Sequence, residues 1–416
     1  MAKKWIGTQI VLNNLANHSL LEDDFLKKKL SLAKEALELD TLIVWPDKNK
    51  KNLDLIQGIC QDFEIKTYLW YPVLADTPLF RVRSEQAVET YNGLPGYGIN
   101  GVWENLGQGE EDFLFLCPND QQTISQIFNH YQKQISAGYF EGVFLDRIRF
   151  PSPANGLETL FTCFCRWCQE KFLADYQNNL RDYQKDIKSF FRKLKTIDIK
   201  DWAVYSSLFD ILRQDNLEKF YDFRQQSIYQ ITKIFAEEAK RRGKLVGLDV
   251  FTPSLASLVS QDYRLLARTC DWMKPMIYCH TNGPAGLPLE LSCFMRGIQR
   301  INPSLEEGQL IQEISRMLGV QLPNKINNLL RDGVPEEIIY YERQKIKDYN
   351  LGEGIKIYPG IEAVQIPGIC LINKKTLEKY LSLILELGLE GMVLSWNLLK
   401  IPEEVLRWVG DFLLSQ

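Results

Sequence analysis

Four cysteines have the residue type and spacing to act as one chemical unit: Cys117, then Cys163, Cys165 and Cys168 in the stretch Thr162-Cys-Phe-Cys-Arg-Trp-Cys-Gln169. Thiolates two and three residues apart converge on one tetrahedral ion, and a distant fourth cysteine closes the shell. The spacing predicts a structural zinc site; disulfides or inert buried thiols are the other outcomes such residues allow. Four thiolates leave no position for water, so the ion would hold structure and not perform chemistry. Cys60, Cys270, Cys279, Cys293 and Cys370 read as small buried hydrophobes.

The cysteines bracket Gly142-Val-Phe-Leu-Asp-Arg-Ile-Arg-Phe-Pro151, which reads as a buried strand ending in a carboxylate flanked by two arginines. Asp146 is the first candidate for catalysis. A carboxylate that ends an apolar run needs a partner, and Arg147 or Arg149 supplies one; a plain strand-end ion pair is the alternative. Glu362, in Tyr358-Pro-Gly-Ile-Glu-Ala-Val364, is expected just past another strand, as a second catalytic carboxylate or as a solvated loop glutamate. Asp249 stands inside the apolar run Leu245-Val-Gly-Leu-Asp-Val-Phe251. There it would bind a substrate hydroxyl, serve as the second carboxylate, orient a neighbour, or be a satisfied core group.

The elements that must position these residues alternate along the chain. Strands are predicted at 5–13, 41–45, 65–71, 142–148, 245–251, 272–278, 355–358 and 391–396. Helical runs fall between them, at 21–38, 52–62 and 214–242, and a last helix over about 402–415 opens on Pro402-Glu-Glu. Short apolar strands without polar alternation predict a parallel sheet covered on both faces. Eight of them, each followed by helix, predict an α/β protein with a closed (β/α)8 TIM barrel, read as one domain over 1–416. The surplus over an ordinary barrel falls at 77–117, 151–210 and 281–350, after the third, fourth and sixth strands. All three are βα connections, on the face where barrel enzymes work.

Residues at the carboxyl ends of barrel strands converge on one pocket. Here they are Trp45 and Asp47, Trp70 and Tyr71, Asp146 with Arg147 and Arg149, Asp249, Tyr278 and His280, Tyr358 and Glu362, and Trp396 and Asn397. Aromatic faces beside carboxylates suit a sugar ring, one stacking on its C–H face and the other supplying an acid with a base or nucleophile at the glycosidic bond. The lone His280 reads as structural or as a hydrogen-bond donor, and Trp396 as barrel packing or a sugar platform.

Composition narrows the classes. A formal net charge of −4 over 416 residues argues against nucleic acid and anionic membranes as partners. No apolar stretch reaches membrane-spanning length and no signal-peptide core follows the N-terminus. The odd count of nine cysteines suits a reducing, cytoplasmic interior. The segment Asn397-Leu-Leu-Lys-Ile-Pro402 lacks a glycine-rich phosphate loop, which disfavours a barrel enzyme of phosphorylated metabolites.

The segment Asp146-Arg-Ile-Arg-Phe-Pro151 resembles a signature of TIM-barrel glycosyl hydrolases, and Asp271-Trp-Met-Lys-Pro-Met-Ile-Tyr278, preceded by Gln261-Asp-Tyr263, is similar to the sixth-strand segment of that group. The four cysteines resemble the zinc cluster of bacterial TIM-barrel β-galactosidases, in which one cysteine precedes the fourth strand and Cys-x-Cys-x-x-Cys follows it. Those enzymes carry Asn-Glu at the fourth strand end, with the glutamate as general acid/base; this chain has Asp146-Arg147. The resemblance implies a glycoside hydrolase with altered machinery, acting on an oligosaccharide or glycoconjugate through paired carboxylates. Asp146 would work with Glu362 or with Asp249, with a structural zinc and no organic cofactor. A non-hydrolytic barrel that binds carbohydrate or a protein partner is the alternative.

Overall fold

The computed structural model describes residues 4–12, 23–46, 50–96, 113–213 and 215–416. Among the described residues, nine short strands form one sheet: β1 (Trp5–Val11), β2 (Thr41–Trp45), β3 (Lys66–Pro72), β4 (Gly142–Asp146), β5 (Leu245–Phe251), β6 (Trp272–Met276), β7 (Lys356–Ile357), β8 (Gly360–Glu362) and β9 (Gly391–Ser395). Every ladder is parallel, and the β5–β6 pairing closes the sheet on itself. β7 and β8 are two halves of one barrel position, since β6 pairs first with Lys356 and Ile357 and then with Gly360. Pro359 lies at the break, where a residue without N–H cannot extend a ladder. Eight barrel positions result, as the alternating strand and helix pattern predicts, and Glu362 falls inside the seventh strand rather than in the loop beyond it.

The barrel interior is filled by aromatic rings fitted to glycines. Trp45, Tyr68, Trp70, Phe144 and Trp272 form one buried cluster with Val11, Ile43 and Val393. A Cβ on Gly247 would stand 2.3 Å from the Trp272 indole, and one on Gly142 would stand 2.2 Å from the Tyr68 ring. Small residues on one strand thus make room for large ones on the next, and the pore closes as a packed core. The helices Asp23–Leu37, Lys50–Asp62, Gln121–Ser136, Glu218–Arg241, Lys374–Glu386 and Glu403–Leu414 are among those that cover the outside. Their apolar stripes, for example Phe220, Phe223, Ile228, Ile231 and Phe235 on Glu218–Arg241, are buried. Among the described residues, no helix is long and apolar enough to cross a membrane.

The long connections follow β3, β4 and β6. After β4 come the helices Arg166–Tyr176, Tyr183–Leu194 and Leu208–Leu212; after β6 come Leu287–Ile301, Glu307–Leu318, Ile326–Asp332 and Ile338–Asp348.

Candidate active site and metal centre

Asp146 and Asp249 stand side by side. β4 and β5 pair through Phe144↔Gly247 and Leu145↔Leu248, so the next step along both strands brings Asp146 beside Asp249. Phe144 belongs to the interior cluster, and period-two alternation turns Asp146 inward as well. Asp146 is 6% exposed and Asp249 3%. Trp70 Nε1 donates to Asp146 Oδ2 at 3.0 Å, and the Arg147 backbone N–H donates to Oδ1 at 2.5 Å. Arg147 adopts φ +57°, a left-handed conformation uncommon away from glycine, so the chain turns sharply after Asp146. Its guanidinium lies 3.6 Å from Asp146 and 3.5 Å from Asp76, over the Phe113 ring.

Asp249 faces Lys274, its register partner on β6, with Nζ 3.1 Å from Oδ2. The same ammonium donates to Gln9 Oε1 at 2.9 Å. Oδ1 of Asp249 has no hydrogen-bond partner among the described residues. Burial pushes the Asp249 carboxyl up to about 7, although Lys274 pulls it down; the Asp146 charge adds to the rise. The Lys274 ammonium is pulled below its usual range by burial, against the opposing influence of Asp249. Two carboxyls on neighbouring strands therefore sit in unlike environments. Asp146 has an indole N–H and a guanidinium close by, whereas Asp249 sits deeper against a partly offsetting lysine.

Glu362 is fully buried, at 0% exposure, and the solvated-loop alternative is overturned. Its carboxylate accepts from the backbone N–H groups of Cys279 (3.0 Å) and His280 (2.7 Å), from Thr281 Oγ1 (2.8 Å) and from Tyr380 OH (2.7 Å). With four donors taken, the group clamps the chain that leaves β6. His280 Nε2 in turn meets Glu336 at 2.8 Å. Burial pulls its imidazole down, but that hydrogen bond and the Glu362 charge outweigh it and raise the pKa.

The structure gathers only some of the expected aromatic and polar groups. Trp45 packs against Trp70 with ring centres 5.2 Å apart, and Tyr278 lies 6.0 Å from Trp396 and 5.5 Å below the Lys274 ammonium. Trp70 and Tyr278 adjoin the carboxylates, with Trp45 packed against the first and Trp396 near the second. Tyr358 does not join them. It stacks on Trp5, 4.1 Å away, at the first residue of β1 and so at the opposite end of the barrel; the expectation that it follows its strand into the mouth is corrected by the break at Pro359. Arg149 is buried between the Phe115 and Phe251 rings, and burial lowers its pKa to about 9. Asn397 Oδ1 accepts from the backbone N–H groups of Val11 and Leu399, which ties β1 to the turn after β9. Tyr71 points outward, its hydroxyl on Ile127 O. Asp47 lies outside the described residues.

The four cysteines meet, with all Sγ atoms within 4.8 Å of one another. A tetrahedral shell with metal–sulfur bonds of 2.3 Å has sulfur–sulfur edges of about 3.8 Å. Cys117 Sγ lies 3.4 Å from both Cys165 and Cys168. Local structure delivers them: Asp120 caps the helix after the Cys117 turn, and Cys165 precedes the helix whose first turn carries Cys168. N–H donors aim at the sulfurs, from Glu89 to Cys163 (3.3 Å), from the Asn119 backbone to Cys117 (3.4 Å) and from Asn119 Nδ2 to Cys168 (3.3 Å). Such donors stabilise anionic sulfur and orient metal ligands. The residues fit a structural divalent ion, held by Cys117, Cys163, Cys165 and Cys168.

No family model and no curated protein matches the sequence. Solved structures do match over almost the whole chain. The glycoside hydrolase domain of PgaB (BpsB) from Bordetella bronchiseptica superposes with a TM-score of 0.54 at 10% identity, covering 98% of this chain and 95% of that one. This chain shares the TIM-barrel fold of that glycoside hydrolase. The spore cortex-lytic enzyme SleL from Bacillus megaterium matches at TM-score 0.45 and 8% identity over 98% of this chain and 73% of its own. A chitinase from Chromobacterium violaceum matches at 0.41 and 10% identity over 99% of both.

Three groups near the carboxylates escape a reading of strand ends: Gln9, Asp76 and Lys274. Lys274 carries a usable signal, because a lysine within the apolar run Trp272-Met-Lys-Pro-Met276 must be paired when that run is buried.

Proposed function

We propose that the chain is a glycoside hydrolase acting on an oligosaccharide or glycoconjugate, with Asp146 and Asp249 as its carboxylate pair. The observation that carries this reading is the adjacency of the two groups, Asp146 at the end of β4 and Asp249 inside β5, one of them held near pKa 7 with a free oxygen. A carboxyl with that pKa stays protonated into the neutral range and is suited to protonate a leaving oxygen. Asp146 then supplies the negative charge. Neighbouring strands lie about 4.8 Å apart, which favours the close-spaced class of pairs whose second carboxylate acts as nucleophile, with retention at the anomeric carbon. Trp45, Trp70, Tyr278 and Trp396 are the stacking surfaces, and Arg147 the group that holds the Asp146 end of the site. Glu362 drops from acid or nucleophile to the residue that fixes the β6 loop, because its oxygens are already engaged.

The ion in the cysteine cluster is zinc in this reading, since a closed four-sulfur tetrahedral shell is a characteristic structural zinc site. All nine cysteines are unpaired, which supports a reducing compartment.

The test is release of reducing ends from a panel of oligosaccharides and aryl glycosides, with the product anomer read by NMR. Activity that is lost in both Asp146→Asn and Asp249→Asn supports the pair. Full activity in either variant overturns it. A second reading, a non-hydrolytic carbohydrate- or partner-binding barrel, is favoured by one observation: Asp249 is locked to Lys274 and nearly closed to solvent. Glycan binding without any bond cleavage across the panel decides for that reading.

A further inference from the structure

Arg224 is a fully buried cation that neither the barrel site nor the cysteine shell, as described so far, accounts for. It lies in the helix Glu218–Arg241, on the buried face between Phe223 and Ser227, and is 0% exposed. Nε, Nη1 and Nη2 all lack a hydrogen-bond partner among the described residues. Its guanidinium packs over the Phe150 ring at 4.6 Å, with Phe220 at 5.6 Å and Tyr221 at 6.0 Å. Burial alone lowers its pKa to about 10. A buried cation without an anion costs several kcal/mol, and proteins seldom retain one. The ionisable groups within electrostatic reach that would favour its charge are Tyr221, Cys163 and Cys168. Tyr221 is itself pushed up by burial and stays a neutral phenol. Two members of the cysteine cluster remain.

A divalent ion in a shell of four thiolates leaves a centre with net charge −2 (four negative sulfurs against two positive charges). We propose that Arg224 is the counter-cation of that centre: it binds no substrate, and it makes the dianionic metal–tetrathiolate complex tolerable in a dry interior. The same helix carries a second contact to the cluster. Ser227 Oγ, one turn on, accepts from Asn119 Nδ2 at 3.0 Å, and Asn119 also donates to Cys117 and Cys168. One face of one helix therefore holds the metal centre through a charge and through an oriented amide. The proposal rests on the metal reading above and is independent of the chemistry in the barrel.

It has an unusual consequence. In metal-free protein the guanidinium is an unpaired buried charge, so replacing it by an apolar side chain of similar volume relieves a cost. In loaded protein the same change removes the charge that balances the centre. Arg224→Met should raise or leave unchanged the melting temperature of chelator-stripped protein and lower the affinity of the site for metal. Groups that support ligands from outside the shell typically change affinity 10–100-fold, and a loss in that range is expected here.

The experiment titrates stripped protein with Zn²⁺ against a chromogenic chelator and with Co²⁺ followed by its thiolate charge-transfer absorption. Parent, Arg224→Met and Arg224→Lys are compared, with melting temperatures taken with and without metal. The expected result is weakened binding in Arg224→Met, a smaller metal-induced rise in melting temperature, and near-parental behaviour in Arg224→Lys, which keeps the charge. Parent protein that takes up neither ion overturns the metal reading itself. Parent that binds both ions while Arg224→Met binds them within twofold of it overturns the counter-cation. If Arg224→Met does not fold even when loaded, Arg224→Lys decides, because loss of affinity with the charge kept would also overturn the proposal.

Discussion

Lys274→Met removes a buried cation and keeps most of the side-chain volume. In the parent, Nζ lies 3.1 Å from Asp249 Oδ2 and 2.9 Å from Gln9 Oε1. Burial lifts the Asp249 carboxyl from 3.8 to about 7, and Lys274 is the largest influence pulling it back. A carboxyl whose pKa is raised by folding keeps a proton that the unfolded chain has released. Its contribution is fully present below about pH 3.8 and is lost as pH rises through about 7. That loss amounts to about 4 kcal/mol over the window, at ~1.4 kcal/mol per pH unit. Above pH 7 the parent carboxylate ionises beside the ammonium and the decline stops.

Without the ammonium it continues. Unit charges 3.1 Å apart attract by about 5 kcal/mol at an effective dielectric near 20, so the Asp249 pKa in the variant moves well above the neutral range. Asp146, Arg147 and Tyr278 also face the pair, but they are present in both proteins and cancel in the difference. Urea unfolding of parent and variant at pH 6 and pH 8 reads the effect. At pH 6 both carboxyls are protonated, and at pH 8 the gap in stability should be wider by about 1.4 kcal/mol. A gap that stays constant from pH 6 to pH 8 would refute the reasoning, because Lys274 would then have no hold on the Asp249 proton.

Asp146→Asn keeps the volume beside Trp70 and removes the charge; hydrolytic turnover should fall roughly a thousandfold while stability drops by about 1 kcal/mol, measured by steady-state kinetics and thermal melts. In Glu362→Gln an amide faces four donors in place of a carboxylate, and a stability loss of about 3 kcal/mol or more is expected by urea unfolding. Gly247→Ala drives a methyl into the Trp272 indole and should cost about 1–3 kcal/mol, visible as a lowered melting temperature. Metal analysis of protein purified without chelator should give about one zinc per chain. Chelation should then lower the melting temperature before it touches the barrel chemistry.

The fold was legible because its signal is repetitive. Each strand is a short apolar run between helical runs, and a miss at one boundary does not disturb the other seven positions. The cysteine shell was legible for the opposite reason: three of its cysteines are close in sequence, so their spacing implies convergence, and the distant Cys117 completes the set. The carboxylate site was only half legible. Asp146 and Asp249 were both visible as charges in apolar strands, but their adjacency depends on the β4–β5 register, which no local pattern encodes. The pairing of Asp249 with Lys274 depends on the next register in the same way. Glu362 lies beyond the predicted strand 355–358 because the ladder breaks at Pro359, whereas the strand resumes at Gly360. The same break keeps Tyr358 at the far end, where it stacks on Trp5 instead of entering the mouth. Arg224 carried no usable signal, since arginines in helices are ordinarily solvated and its burial against Phe150 follows from tertiary packing.

The insertion explains why a four-cysteine cluster sits beside a strand end at all. The segment after Asp146 is strained at Arg147 and has no secondary structure of its own to hold it. It is instead stitched from several sides. Phe150 N–H donates to Val259 O, Gln261 Nε2 donates to Ile148 O, and Arg149 is wedged between Phe115 and Phe251. Phe150 also carries the Arg224 guanidinium on its face. A backbone in a sparsely populated conformation persists only where its surroundings over-determine it. The cysteine cluster ties the connection after β3, through Cys117, to the connection after β4, through Cys163, Cys165 and Cys168. Those two connections flank the strand end that bears Asp146. Arg147 is held by Asp76 and Phe113 of the connection after β3, the same connection that Cys117 joins to the cysteine cluster.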